Sequence, residues 1–134
     1  MANDLNKILY VEDEEDIALV VGMTLEELGG FEIRHCSSGQ EALDACPDFA
    51  PQLIILDVMM PGMDGPATLT NLRKLPCAKN TPVLFMTAKA QAHEQQRYLA
   101  LGAIGVVTKP FDPMTLSDRI IELWKSHEQV QMAV

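Results

Sequence analysis

Four short apolar runs constrain this chain most: Ile8-Leu9-Tyr10-Val11, Leu53-Ile54-Ile55-Leu56, Val83-Leu84-Phe85-Met86 and Val106-Val107. Each is continuous rather than alternating, the pattern of a strand covered on both faces, and the four read as central, mostly parallel strands. Phe31-Glu32-Ile33-Arg34-His35 alternates apolar and polar residues instead, as a strand near a sheet edge does. Helical patterns separate all of them. Strict strand-helix alternation predicts an α/β fold, a single doubly wound parallel sheet with right-handed crossovers and helices on both faces. Ligands of such open sheets bind beyond the carboxyl ends of the strands.

The helices carry their own signals. Ile17, Val20, Val21, Thr24 and Leu28 share one face of a first helix that stops at Gly29-Gly30. Ser38-Gly39-Gln40-Glu41 has capping-box spacing, the Ser38 hydroxyl and the Glu41 carboxylate answering each other's backbone donors, and this second helix is expected to end before Pro47. Asp64 can cap a third helix that carries Leu69, Leu72 and Leu75 and is closed by Pro76. A fourth is expected from about Ala90 to Leu101, ending at Gly102. Asp112-Pro113 is a favourable start for a fifth, whose Leu116, Ile120, Leu123 and Trp124 form a stripe.

The polar residues at the strand ends point to chemistry. Glu12-Asp13 follow the first strand, Asp57 ends the third, Thr87 ends the fourth and Lys109 follows the fifth, all on the edge where ligands bind. Three converging carboxylates repel one another and raise each other's pKa unless a cation lies between them, and hard oxygen ligands suit Mg²⁺. An ammonium and a hydroxyl added to such a set fit the oxygens of a transferring phosphoryl group. Asp57 is then the nucleophile, forming an aspartyl phosphate. Met alone, Asp57 reads as readily as a solvated strand-end carboxylate, and Glu12-Asp13 as acids favoured by a helix dipole. Their joint placement argues for a site.

The segments Tyr10-Val11-Glu12-Asp13, Leu56-Asp57-Val58-Met59-Met60-Pro61-Gly62-Met63-Asp64-Gly65, Met86-Thr87-Ala88 and Thr108-Lys109-Pro110-Phe111 together resemble the receiver domain of two-component response regulators, over about Asn6 to His127. The resemblance implies a flavodoxin-like sheet in the order 2-1-3-4-5. It also implies Mg²⁺ bound by Asp13, Asp57 and the backbone carbonyl of Met59, with Glu12 reaching it through water. A phosphohistidine on a sensor histidine kinase, or a histidine phosphotransfer protein, is the implied phosphoryl donor, and the Lys109-Pro110 bond is implied to be cis. Glu12 replaces the Asp often found first in the acidic pair. Val106 stands where these domains usually carry Tyr or Phe, so activation is expected to alter mainly the loop from Thr87 to Gln91 and the start of the fourth helix. A protein of this kind is a signalling switch that promotes only its own phosphorylation and dephosphorylation, not an enzyme on external substrates.

Composition narrows the remaining classes. The chain has 134 residues, 48% hydrophobic and 22% charged, with no linker-like stretch or repeat, which suits one domain with a core at about 6–127 and a short tail at 128–134. A net charge of −9 repels a phosphate backbone, so direct nucleic-acid binding is not expected. The apolar runs are far shorter than the roughly 20 residues that span a bilayer, and the start lacks a secretory pattern, which makes the cytoplasm the expected location. Three cysteines without paired spacing argue against a disulfide framework or zinc site and read as buried, reduced packing residues. His35, His93 and His127 suggest no site. A flavodoxin-like small-ligand binder would want a Gly/Ser/Thr-rich cradle where Glu12-Asp13-Glu14-Glu15-Asp16 stands, and a Mg²⁺-dependent phosphohydrolase would want a second carboxylate close after Asp57, where Val58-Met59-Met60 supplies none. Only seven residues follow His127, so either a stand-alone regulator or a receiver cut from a longer protein is expected, with an unknown downstream partner.

Overall fold

Continuous apolar runs become strands with no exposed face. Leu53–Asp57 (β3) and Val83–Thr87 (β4) are buried at every residue, because each has a strand on both sides and helices above and below. The computed structural model describes residues 5–88, 91–109 and 111–132. Among these, the remaining strands are Lys7–Val11 (β1), Glu32–Cys36 (β2) and Gly105–Thr108 (β5), all pairing in parallel in the order β2-β1-β3-β4-β5. The helices are Glu15–Glu27 (α1), Gly39–Phe49 (α2), Gly65–Leu72 (α3), Ala92–Ala100 (α4) and Pro113–Met132 (α5), with a 3₁₀ turn at Pro76–Ala78. The expected α/β sheet and its order are thus present.

Period-two alternation divides the sheet residues between two cores. Leu9, Val11, Ile54, Leu56, Val83 and Phe85 pack with α2, α3 and α4 on one face. Ile8, Tyr10, Leu53, Ile55, Leu84 and Met86 pack with α1 and α5 on the other. Trimming any fully buried leucine of either core to alanine costs about 2–5 kcal/mol in lost transfer energy and cavity formation.

Several local expectations need correction. The stripe of α1 that faces the sheet is Ala18, Val21, Gly22 and Leu25, while Val20 and Leu28 are 51% and 56% exposed. Two of these four are small residues, which counting large apolar side chains misses. β5 is the far edge of the sheet rather than a central strand, with Val106 half-buried and Thr108 exposed, and a run of two valines is too short to distinguish the two cases. α2 does not stop before Pro47 but continues to Phe49. So near the helix end the proline removes a single backbone bond, and Ala50, at φ 51°, closes the helix by donating to the Cys46 carbonyl at 2.9 Å.

The capping box at Ser38 forms only in part: the Ser38 hydroxyl accepts from Glu41 N–H at 3.1 Å, but the Glu41 carboxylate turns to the N–H and hydroxyl of Ser37, which offer it two donors. Asp64 caps α3 through the Ala67 N–H at 2.9 Å, and Leu72 ends that helix, leaving Leu75 outside it and Pro76 at the start of the 3₁₀ turn. Asp112 accepts from Met114 N–H at 2.9 Å at the head of α5, which continues past His127 to Met132.

The turn from β3 into α3 is held by a close backbone approach. A Cβ on Gly65 would lie 2.6 Å from the carbonyl oxygen of Asp57 and 2.9 Å from Val58 Cα, neither of which can rotate away. Gly65→Ala is therefore expected to destabilise the fold by about 1–3 kcal/mol through overpacking, measured by urea unfolding. A loss within about 0.5 kcal/mol, the range of ordinary surface substitutions, would show that the turn relaxes freely.

Candidate functional site: an acidic cluster bridged by a lysine

The parallel register brings the ends of four strands to one edge. β1 pairs Val11 with Leu56 of β3, β3 pairs Asp57 with Met86 of β4, and β4 pairs Thr87 with Thr108 of β5. The residue after each end is held by the ladder too. Glu12 N–H donates to the Cys36 carbonyl at 3.0 Å, Val58 N–H to Met86 at 3.0 Å and Lys109 N–H to Thr87 at 2.8 Å. Side chains at these positions are thus set by the sheet rather than by loops.

Glu12 is fully buried, Asp57 is 4% exposed, Thr87 is 2% exposed and Asp13 is half-buried. Carboxylate oxygens of Glu12, Asp13 and Asp57 all lie within 4.8 Å of one another. The Lys109 ammonium enters this cluster, donating to Glu12 Oε1 at 2.8 Å and Asp57 Oδ1 at 2.9 Å. One ammonium against three carboxylates leaves the cluster net negative, and its donor set of hard oxygens fits a small divalent cation. Met59 lies in the loop after β3 with its side chain 63% exposed, so its side chain is not part of the cluster. Thus Glu12, Asp13, Asp57 and Lys109 are brought together, with Thr87 at the adjoining strand end. Pro110, on which the implied cis bond rests, lies outside the described residues, as do Lys89 and Ala90 of the loop after Thr87.

Two supporting residues escaped the sequence reading. The Tyr10 hydroxyl donates to Glu12 Oε1 at 3.5 Å, two residues further along the chain, and Glu14 N–H donates to Glu12 Oε2 at 3.2 Å. His35 Nε2 lies 2.8 Å from the Glu12 carbonyl, which can only accept, so that nitrogen carries the proton. His35 pairs with Tyr10 in register, and their rings are 5.9 Å apart. Only the strand-end position of Glu12 could have hinted that its neighbours serve it. Val106 is half-buried against the core that holds Phe85 and Tyr98, whose rings are 5.3 Å apart.

The electrostatics separate Asp57, Lys109 and Tyr10 from their ordinary behaviour. Burial pushes the Asp57 carboxyl up to about 6, Lys109 opposes this and the Glu12 charge adds to it. Burial lowers the Lys109 ammonium, but hydrogen bonds to Glu12 and Asp57 outweigh it and the net direction is upward. Burial, followed by the charges of Glu12 and Asp57, also raises the Tyr10 phenol.

A carboxyl whose folded pKa exceeds its unfolded value of about 3.9 contributes stability that is fully present below about pH 4 and lost as pH rises through about 6. In the absence of divalent metal, the stability difference between the wild type and Asp57→Asn is expected to shift in favour of the variant by about 2–3 kcal/mol across that window. Urea unfolding at a series of pH values with a chelator present measures it, and a difference that is flat with pH would contradict the assignment.

The family model of the response regulator receiver domain matches residues 8–121. Among curated proteins, the chain is 36% identical over 122 residues to the alkaline phosphatase synthesis transcriptional regulatory protein PhoP of Bacillus subtilis, covering 91% of this chain and 50% of that one. It is 37% identical over 116 residues to the phosphate regulon transcriptional regulatory protein PhoB of Rhizobium meliloti, covering 87% and 51%. The chain spans about half the length of these relatives. Among solved structures, the chemotaxis protein CheY4 of Vibrio cholerae superposes with a TM-score of 0.82 at 32% identity, covering 90% of this chain and 99% of that one. These likenesses do not favour the small-ligand binder or the phosphohydrolase. The chain belongs to the response regulator receiver domains, the phosphoacceptor switch modules of two-component signalling.

Proposed function

We propose that Asp57 is the phosphoryl acceptor, with Thr87 and Lys109 as the groups that address the transferred phosphoryl oxygens. The observation that carries this is the Lys109 ammonium, within hydrogen-bonding distance of both Glu12 and Asp57 at the rim of a buried acidic cluster. Transfer breaks the P–N bond of a phosphohistidine on a sensor histidine kinase or a histidine phosphotransfer protein and forms an O–P bond to an Asp57 oxygen. Lys109 already bonds to Asp57 and can follow the added charge, while the Thr87 hydroxyl stands one strand away.

Glu12, Asp13, Asp57 and the Met59 backbone carbonyl are the groups that would hold Mg²⁺. When bound, the ion neutralises charge on the carboxylates and on the transferring phosphoryl oxygens. The domain acts on itself, gaining and losing its own phosphoryl group, and signals by a change in partner binding.

Residues 1–134 are read as one receiver unit with its core at about 6–127. Among the described residues no helix is long and apolar enough to cross a membrane. A cytoplasmic location beside a kinase is the reading that fits the family, and the net charge of −9 argues against direct contact of this domain with nucleic acid.

Asp57→Ala is expected to abolish acid-labile phosphate incorporation from acetyl phosphate in the presence of Mg²⁺, scored by intact-mass shift. Labelling of the variant equal to the wild type would sink the assignment. Mg²⁺ is expected to raise the melting temperature, since a ligand bound only by the folded cluster at a hundredfold excess over its dissociation constant contributes about 2.7 kcal/mol. A melting curve indifferent to Mg²⁺ would remove the metal from the proposal while leaving the nucleophile testable by labelling.

A further inference from the structure

We propose that Cys46 and Cys77 are a redox-sensitive pair that closes into a reversible disulfide when a hydroperoxide reacts at Cys77. The two residues are 31 positions apart in sequence, yet the fold sets Cys77 Sγ 3.0 Å from Cys46 Sγ. A disulfide bond is about 2.05 Å long, so closure asks the sulfurs to approach by only about 1 Å. Both thiols are free, as is Cys36.

The members of the pair differ in access. Cys46 lies within the last turn of α2 and is fully buried, and burial, then the Cys77 thiol, pushes its own thiol up to about 12. Cys77 sits in the 3₁₀ turn, is half-buried and lines an open hollow of about 410 Å³ together with Pro51, Gln52, Pro82 and Trp124. Cys77 is therefore the sulfur an oxidant reaches and Cys46 the one that resolves the product. Cys36, fully buried at the end of β2, serves as an internal comparison.

The chemistry balances with one hydroperoxide. The Cys77 thiol gives up its proton and its sulfur attacks the peroxide oxygen, the O–O bond breaks, and a sulfenic acid forms while the remainder leaves as an alkoxide, or as hydroxide from hydrogen peroxide, and takes up that proton. Cys46 sulfur then attacks Cys77 sulfur. The S–S bond forms, the S–O bond breaks, and hydroxide departs with the Cys46 proton as water. Two electrons pass from the two sulfurs to the peroxide, and a dithiol reductant returns them by exchange. In a reducing compartment such a bond is transient, as expected of a sensor rather than a structural bridge.

The link would join the end of α2 to the turn that leads into β4. Both lie at the amino ends of the strands, across the sheet from the acidic cluster. It would also enclose residues 46–77, including all of β3. Oxidation is therefore expected to restrain the unfolded chain and leave Asp57 open to labelling.

The test treats the folded, full chain with graded hydrogen peroxide, blocks remaining thiols with a maleimide after denaturation and maps the peptides by mass spectrometry. The expected result is one Cys46–Cys77 link per chain, Cys36 recovered as its adduct, reversal by dithiothreitol, and a melting temperature raised by roughly 10 °C. Cys77→Ser, chosen because position 77 is half-exposed, should give neither the link nor the rise. Recovery of Cys77 as a sulfinic acid or an intermolecular disulfide with Cys46 still free, or a Cys36–Cys46 link instead, would overturn the proposal.

Discussion

A single ammonium placed between two buried carboxylates holds this site together. Glu12 and Asp57 are withdrawn from water, and an unpaired ion in such a place costs several kcal/mol. Lys109 answers both at once. It can do so only because the sheet order is what it is. β5, which delivers Lys109, is separated from β3 by β4, and neighbouring strands lie about 4.8 Å apart. The lysine side chain has to cross the end of β4 to reach Asp57, and the residue at that end is the buried Thr87, whose carbonyl holds the Lys109 N–H. A one-residue slip in any of these pairings would turn an acid or the lysine to the other face of the sheet.

How much of this could be read from the sequence depends on the range of the interaction. Strand ends were legible because continuous apolar runs stop abruptly at charged residues: Val11 at Glu12, Leu56 at Asp57. β3 and β4 were legible because burial on both faces leaves no polar residue before the last position. The facing of α1 was not, since the small residues Ala18 and Gly22 are buried while Val20 and Leu28 lie outside. Pro47 misled because it removes only its own N–H bond to the carbonyl four residues earlier, and whether the helix survives that loss depends on packing that the residue itself does not reveal.

Contacts to backbone groups and contacts remote in sequence were illegible for a different reason. His35 binds Glu12 through a carbonyl that every residue possesses, so no residue type marks the acceptor. Cys46 and Cys77 meet because α2 and the 3₁₀ turn pack side by side, a fact of tertiary geometry with no periodicity to announce it. The acidic cluster was found only because several residues of unusual type stood at equivalent strand ends. A pair of cysteines among ordinary apolar neighbours offered no such coincidence.

The two buried acids are not equivalent, and the difference bears on which one reacts. Glu12 is tied down on both oxygens, by Lys109 and the Tyr10 hydroxyl on one and by the Glu14 N–H on the other, while its backbone carbonyl is occupied by His35. A carboxylate fixed in this way is suited to hold charge in place. Asp57 shares the same ammonium, but burial dominates its environment and raises its pKa to about 6. Burial thus disfavours its anionic form. Whatever brings positive charge to that oxygen relieves a cost that the folded state alone imposes. Differential relief of this kind is what lets a local chemical change shift the balance between two conformations.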